Sequence, residues 1–282
     1  MLTNRPSRTA QGAAIYRAAH QLVDRPPVFE DPLALKIVGA DAEGALRAGR
    51  EPRATPQAAS LRAFVAVRSR YAEDRFANAF ESGLRQYVVL GAGLDTFAYR
   101  QRFEHVRVFE VDHPATQGWK RERLAQAAIA VPESVAYAPV DFERETVREG
   151  LARARLDFSQ PAFFAWLGVT PYLTTDAIMG TLGIVAKDMK GGSEIVFDFA
   201  TPPGDDPCSR VAREAFGARV GAIGEPLKSA FTPAALADDL REIGFSGCEV
   251  ADSAWLNALY FEGRRDGLDL RGGHIMRARV GS

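Results

Sequence analysis

The residues best suited to chemistry lie in the stretch Val88-Val89-Leu90-Gly91-Ala92-Gly93-Leu94-Asp95-Thr96. An apolar run leads into a Gly-x-Gly turn and then into a helix-forming segment that Asp95 is placed to cap. Glycines at such a turn let the backbone reverse tightly and approach a ligand closely. The helix N-terminus behind it favours an anionic or polar ligand group. Asp112 ends the next apolar run, 19 residues after Gly93. A carboxylate there can accept hydrogen bonds from both hydroxyls of a ribose. Asp141 ends the third run. Singly, these residues have plain structural readings: a strand-to-helix turn, or an acid capping a helix. Together they suit a nucleoside cofactor. The full dinucleotide fingerprint would place a third glycine where Thr96 stands, which counts against an NAD-dependent oxidoreductase, kept as an alternative.

The elements that must position these residues alternate. Short apolar runs at Tyr87 to Leu90, Val106 to Val111, Val135 to Val140, Ala162 to Leu167 and Glu194 to Phe199 read as strands. Helical segments lie between them at Thr96 to Arg102, Pro114 to Ala130, Glu143 to Ala154 and Asp176 to Met189. Strands alternating with helices predict an α/β fold with a parallel sheet covered on both faces. Beyond them, Pro233 to Ile243 reads as a helix, Cys248 to Ala251 as a strand, and His274 to Val280 as a last strand returning antiparallel along the sheet edge. Residues 1 to about 83 read as helical instead. Their segments are Thr9 to Val23, Asp31 to Val38, Glu43 to Ala48 and Gln57 to Ala79, punctuated by prolines at 26, 27, 52 and 56.

Composition narrows the partners. The 282-residue chain has a net charge of −1, so nucleic acid is not expected. Cys208 and Cys248 form no motif, and the four histidines (His20, His105, His113, His274) are scattered, so no metal site is expected. No apolar stretch approaches the ~20 residues of a membrane span. The N-terminal residues show no secretion signal, and a cytoplasmic location is expected.

Leu90-Gly91-Ala92-Gly93-Leu94-Asp95-Thr96, followed by Phe109-Glu110-Val111-Asp112-His113-Pro114, resembles the leucine carboxyl methyltransferase family. The likeness is to its bacterial branch of S-adenosyl-L-methionine-dependent O-methyltransferases. Ser7-Arg8-Thr9-Ala10 with Arg17-Ala18-Ala19-His20, Asp31-Pro32-Leu33-Ala34, Arg68-Ser69-Arg70 with Asp74, and Trp166-Leu167-Gly168-Val169-Thr170-Pro171-Tyr172-Leu173 follow in the family's order. The resemblance covers nearly the whole chain. It implies a class I methyltransferase (Rossmann-like) fold: a doubly wound, mostly parallel seven-stranded sheet with an N-terminal helical lid. The lid would span residues 1–83 and the cofactor-binding domain 84–282, the two integrated as one domain. It further implies that Gly91, Ala92 and Gly93 line the methionine part of S-adenosyl-L-methionine and that Asp112, with His113 beside it, holds the ribose. Asp141 and Phe142 would meet the adenine edge. Arg68, with Arg70 the adjacent candidate, would pair with the cofactor's carboxylate, and Arg17 would assist from the lid helix.

One departure stands out. Many family members carry Glu on the fourth strand near Leu167, and here the run Ala165-Trp166-Leu167-Gly168 has no acid. That leaves the site less polar and suits an apolar or aromatic acceptor. Methyl transfer requires alignment of donor and acceptor and exclusion of water. A carboxylate acceptor is ionised near pH 7 and needs no base, whereas a phenol or alcohol needs one. Candidate acid or base groups are His113, Tyr172 and Tyr260, although His113 could equally cap a helix. The segment Thr201 to Lys228 is expected to cover the site, with Arg210, Arg213 or Arg219 available to hold a substrate carboxylate. The activity expected is S-adenosyl-L-methionine-dependent transfer of a methyl group to a carboxylate or hydroxyl of a small molecule. A protein that binds the cofactor without catalysis is the remaining alternative.

Overall fold

The computed structural model describes residues 6–49, 55–142, 144–203, 214, 216–218 and 220–281. Seven strands form one sheet: β1 (Gln86–Leu90), β2 (Arg107–Asp112), β3 (Val135–Pro139), β4 (Phe163–Trp166), β5 (Glu194–Phe199), β6 (Phe245–Ala251) and β7 (His274–Val280). Their order is β3-β2-β1-β4-β5-β7-β6. Strands β1 to β5 pair in parallel, and β7 is antiparallel to both β5 and β6. The antiparallel return expected for the last strand is present, but not at the edge. β7 inserts between β5 and β6, and β6, with most of its residues partly or fully exposed, takes the edge.

Both faces of the sheet are buried, so its central strands read as continuous apolar runs. On β1, Val88 and Leu90 face one way, with Phe164, Trp166, Ile178, Leu182 and Leu240. That layer is built by α7 (Val147–Arg153), α8 (Thr175–Asp188) and α9 (Pro233–Ile243). Tyr87 and Val89 face the other way, with Phe163, Ala165 and Val196. There α4 (Pro56–Glu81), α5 (Phe97–Arg100) and α10 (Ser253–Tyr260) cover the sheet. α6 (Pro114–Gln126) lies beyond β2.

α4 starts where the sequence stops it from starting earlier: Thr55 accepts the Ala58 N–H at 3.1 Å, and Pro56 occupies the first turn. Its Phe76 is fully buried against the rings of Tyr87, Phe97 and Phe163, at 4.6, 5.7 and 5.5 Å between centroids. This long helix therefore belongs to the central core. α1 (Arg8–Val23), α2 (Ala34–Ile37) and α3 (Ala40–Arg47) form a smaller cluster of their own with Leu94 and Leu124. The helix expected over Asp31 to Val38 shortens to one turn because Asp31 uses its carboxylate elsewhere: it accepts from Leu33 N–H and Thr96 Oγ1. No helix among the described residues is long and apolar enough to cross a membrane.

The strand order reverses between β1 and β4. In open α/β sheets the crevice at such a point, outside the carboxyl ends of the strands, receives ligands.

Candidate active site

At that crevice the Gly91–Gly93 turn leaves β1 with both glycines in the left-handed region, φ +66° and +44°. A Cβ on Gly91 would meet Val169 Cγ2 at 2.3 Å, so close approach as well as conformation requires glycine there. Asp112 stands at the end of the neighbouring strand. Its Oδ2 accepts the Gly93 N–H at 2.5 Å and its Oδ1 the His113 N–H at 2.7 Å. Burial pushes this carboxyl above its ordinary value, and the two backbone donors pull against that rise. Each oxygen keeps capacity for a second donor.

One cavity joins these residues. Gly91, Ala92, Gly93, Asp112, His113, Asp141, Phe142 and Arg68 all line it. Arg70 does not: it is exposed on α4, where its Nε meets Asp74 Oδ1 at 2.8 Å. Two residues along a helix turn a side chain by roughly 200°, so Arg68 and Arg70 cannot face the same cavity. Tyr260 joins Arg70 on that far side, its hydroxyl donating to Asp74 Oδ2 at 2.9 Å. His113 takes the alternative reading, capping α6 by accepting the Ala115 N–H at 3.2 Å; its Nε2 lies 3.9 Å from Asp141 Oδ2 on the cavity wall. Tyr172, in a short 3-10 turn after β4, lines the cavity, as does Leu167. Arg210, Arg213 and Arg219 lie outside the described residues.

Arg68 is held by a residue not picked out in the sequence. Its Nη1 donates to Asp198 Oδ2 at 2.9 Å, and Asp198 Oδ1 accepts the Gly168 N–H at 2.5 Å. Gly168 has φ +75°, and a Cβ there would strike the Arg68 guanidinium at 2.5 Å. Asp198 thereby ties α4, the turn after β4 and β5 together. Arg17 lines the same cavity and is largely buried. It pairs with Asp31 at 2.8 Å and donates to the Leu94 carbonyl. Thr96 Oγ1 donates to the same Asp31 at 2.6 Å. Below the loop, Lys120 pairs with Glu110 at 2.7 Å, both fully buried.

α1 and the stretch from Gly224 to Lys228 also line the cavity. Glu225 accepts the N–H groups of Arg8 and Thr9, each at 2.9 Å, so a carboxylate sits on the positive end of α1. Lys228 N donates to Pro171 O at 2.7 Å and anchors that segment to the turn after β4. A second, more apolar cavity of about 510 Å³ adjoins the first. Thr9, Ala13, Val65, Arg68, Gly168 and Tyr172 line both.

The fold and the site define a class I, Rossmann-like methyltransferase, dependent on S-adenosyl-L-methionine. The family model described as leucine carboxyl methyltransferase matches residues 10–186. The chain belongs to that family. It is 30% identical over 295 residues to "Putative S-adenosyl-L-methionine-dependent methyltransferase YktD" of Bacillus subtilis, covering 95% of each chain. It is 35% identical to the similarly named SCO7813 of Streptomyces coelicolor over 66% of each. Among solved structures, "a putative methyltransferase from Thermobifida fusca YX" superposes with a TM-score of 0.59 at 20% identity, covering 100% of this chain and 97% of that one. A DUF574 family protein from Streptomyces avermitilis gives 0.57 at 18%, covering 95% and 97%.

Proposed function

We propose that this chain transfers a methyl group to an oxygen, carboxylate or hydroxyl, of a small molecule. The observation that carries the reading is the junction of two cavities at Arg68, Gly168 and Tyr172. One is lined by the Gly91–Gly93 turn and the strand-end acids, the other by apolar side chains.

The residues of the first cavity fit S-adenosyl-L-methionine. The two glycines leave room where a Cβ would intrude, suiting the methionine part. Asp112 keeps acceptor capacity for the ribose hydroxyls. Asp141 and Phe142 line the far end, suiting adenine. Arg68 is the cation for the amino-acid carboxylate. When bound, S-adenosyl-L-methionine supplies a methyl group on a sulfonium, already activated for displacement. The chain's own work is then to orient and to exclude water. α1, pinned by Glu225, roofs the site, and Leu167, Val169 and Leu173 keep its wall apolar. No general base is needed if the acceptor is a carboxylate.

Calorimetric titration with S-adenosylhomocysteine, with NAD in a parallel cell, tests the cofactor half. Micromolar binding of the first and none of the second is expected. Binding of NAD alone would overturn the reading. Turnover in a methyl-acceptor screen separates an enzyme from a protein that only binds the cofactor.

A further inference from the structure

The second cavity is walled by Ile15, Tyr16, Leu61, Phe64, Phe199 and Leu227. Among the described residues its charged groups are Arg8, Arg62, Arg68 and Asp198. Arg8 is exposed. Arg62 is spent on Asp24, with Nε–Oδ2 and Nη2–Oδ1 both 2.8 Å. Arg68 is balanced by Asp198, which is 4% exposed and reaches this cavity but not the first. Among the described residues the cavity therefore presents a buried carboxylate that accepts one hydrogen bond on each oxygen and keeps lone-pair capacity for another. A wall carboxylate attracts a group that donates a hydrogen bond and repels a second carboxylate.

Resting on the methyltransferase reading, we propose that the second cavity receives the acceptor as an apolar, ring-bearing molecule that presents a hydroxyl. The Asp198 carboxylate takes the proton of that hydroxyl. The balance is simple. An electron pair of the acceptor oxygen forms the O–C bond, and the C–S bond breaks with its pair going to sulfur, leaving a neutral thioether. The O–H proton passes to Asp198 and from there to solvent after product leaves. A phenol is the suited class, because its aryl ring matches the walls and its hydroxyl is protonated at neutral pH.

The test uses 2-naphthol and 2-naphthoate as probes, titrated calorimetrically into protein saturated with S-adenosylhomocysteine. Saturation itself is measured first, and its failure would count against the methyltransferase reading, separately from this one. 2-Naphthol is expected to bind about ten-fold or more tighter than 2-naphthoate, the size of one charge-assisted hydrogen bond. In Asp198→Asn, that preference is expected to collapse, with methyl transfer to 2-naphthol falling about a hundred-fold. Leu61→Arg, on a wall of the second cavity only, is expected to abolish 2-naphthol binding and to spare S-adenosylhomocysteine. Preference for 2-naphthoate, binding of neither probe, a preference unchanged in Asp198→Asn, or 2-naphthol binding that survives Leu61→Arg would overturn the proposal.

Discussion

The carboxylate of Asp112 accepts the backbone N–H of Gly93, so the acid at the end of β2 holds the turn that leaves β1. Two strand ends are thereby fixed to each other at the edge of the crevice. The same carboxylate is the group proposed to hold the ribose, and its two tasks use different lone pairs.

Asp112→Ala is expected to weaken S-adenosylhomocysteine binding by ~1–3 kcal/mol, the scale of a lost hydrogen bond to a charged group. Asp112→Asn keeps an acceptor for Gly93 and is expected to lose less. Calorimetry on both variants checks this; unchanged affinity in Asp112→Ala would remove the residue from the ribose role.

Arg68 and Arg70 offer a sharper contrast. Arg68→Ala is expected to weaken S-adenosylhomocysteine by about ten-fold or more and to leave 5′-methylthioadenosine, which lacks the amino-acid part, nearly unaffected. Arg70→Ala should change neither affinity, and its exposed pair with Asp74 contributes at most about 1 kcal/mol of stability. Equal losses for both ligands in Arg68→Ala would place that guanidinium elsewhere in the mechanism.

What was legible in the chain follows from range. The Gly91–Gly93 turn, Asp112 and Asp141 are readable because each follows its own apolar run, where local sequence announces a strand terminus. Asp198 and Glu225 are not, because their partners lie 130 and 217 residues away. No local pattern marks an acid for such a task. The adjacency of Arg68 and Arg70 misleads for the opposite reason: nearness in sequence places them on different sides of one helix. α10 is eight residues long, and its apolar Trp255, Leu256, Leu259 and Tyr260 span barely two turns, too short a run to set a period. The place of β7 inside the sheet is likewise a tertiary fact, decided by pairing with β5.

The buried triad of Asp24, Arg62 and His20 links α1 to α4 and gives a pH signature. Burial alone would raise the Asp24 carboxyl, but the Arg62 guanidinium and the His20 ring outweigh it and hold the group below its ordinary 3.8. A depressed carboxyl contributes stability above its unfolded value and loses it as pH falls through the folded one. Asp24→Asn is therefore expected to destabilise the protein at pH 7, by about 3–5 kcal/mol if Arg62 stays buried unpaired. The gap to the unsubstituted chain should shrink as the pH drops below about 4. Urea midpoints between pH 7 and pH 3 measure it, and a gap constant across that range would contradict the assignment.

Glu225 carries the last prediction. Its carboxylate accepts from Arg8 N–H, Thr9 N–H and Ser7 Oγ, the last at 3.3 Å, so one side chain fastens the start of α1 to the stretch from Gly224 to Lys228. Ser7 and Thr9 both line the first cavity, beneath which the Gly91–Gly93 turn lies. Replacing Glu225 with Ala removes the anion from the helix N-terminus and frees two backbone donors. The core is untouched, so global stability should fall by only about 1 kcal/mol. Amide exchange at residues 8–10 should accelerate, and S-adenosylhomocysteine should dissociate about ten-fold faster with little change in association, as affinity changes within one site fall mainly on the off-rate. Stopped-flow release and hydrogen exchange on the same variant check both parts; faster exchange with an unchanged off-rate would show that α1 covers the cavity without retaining what it holds.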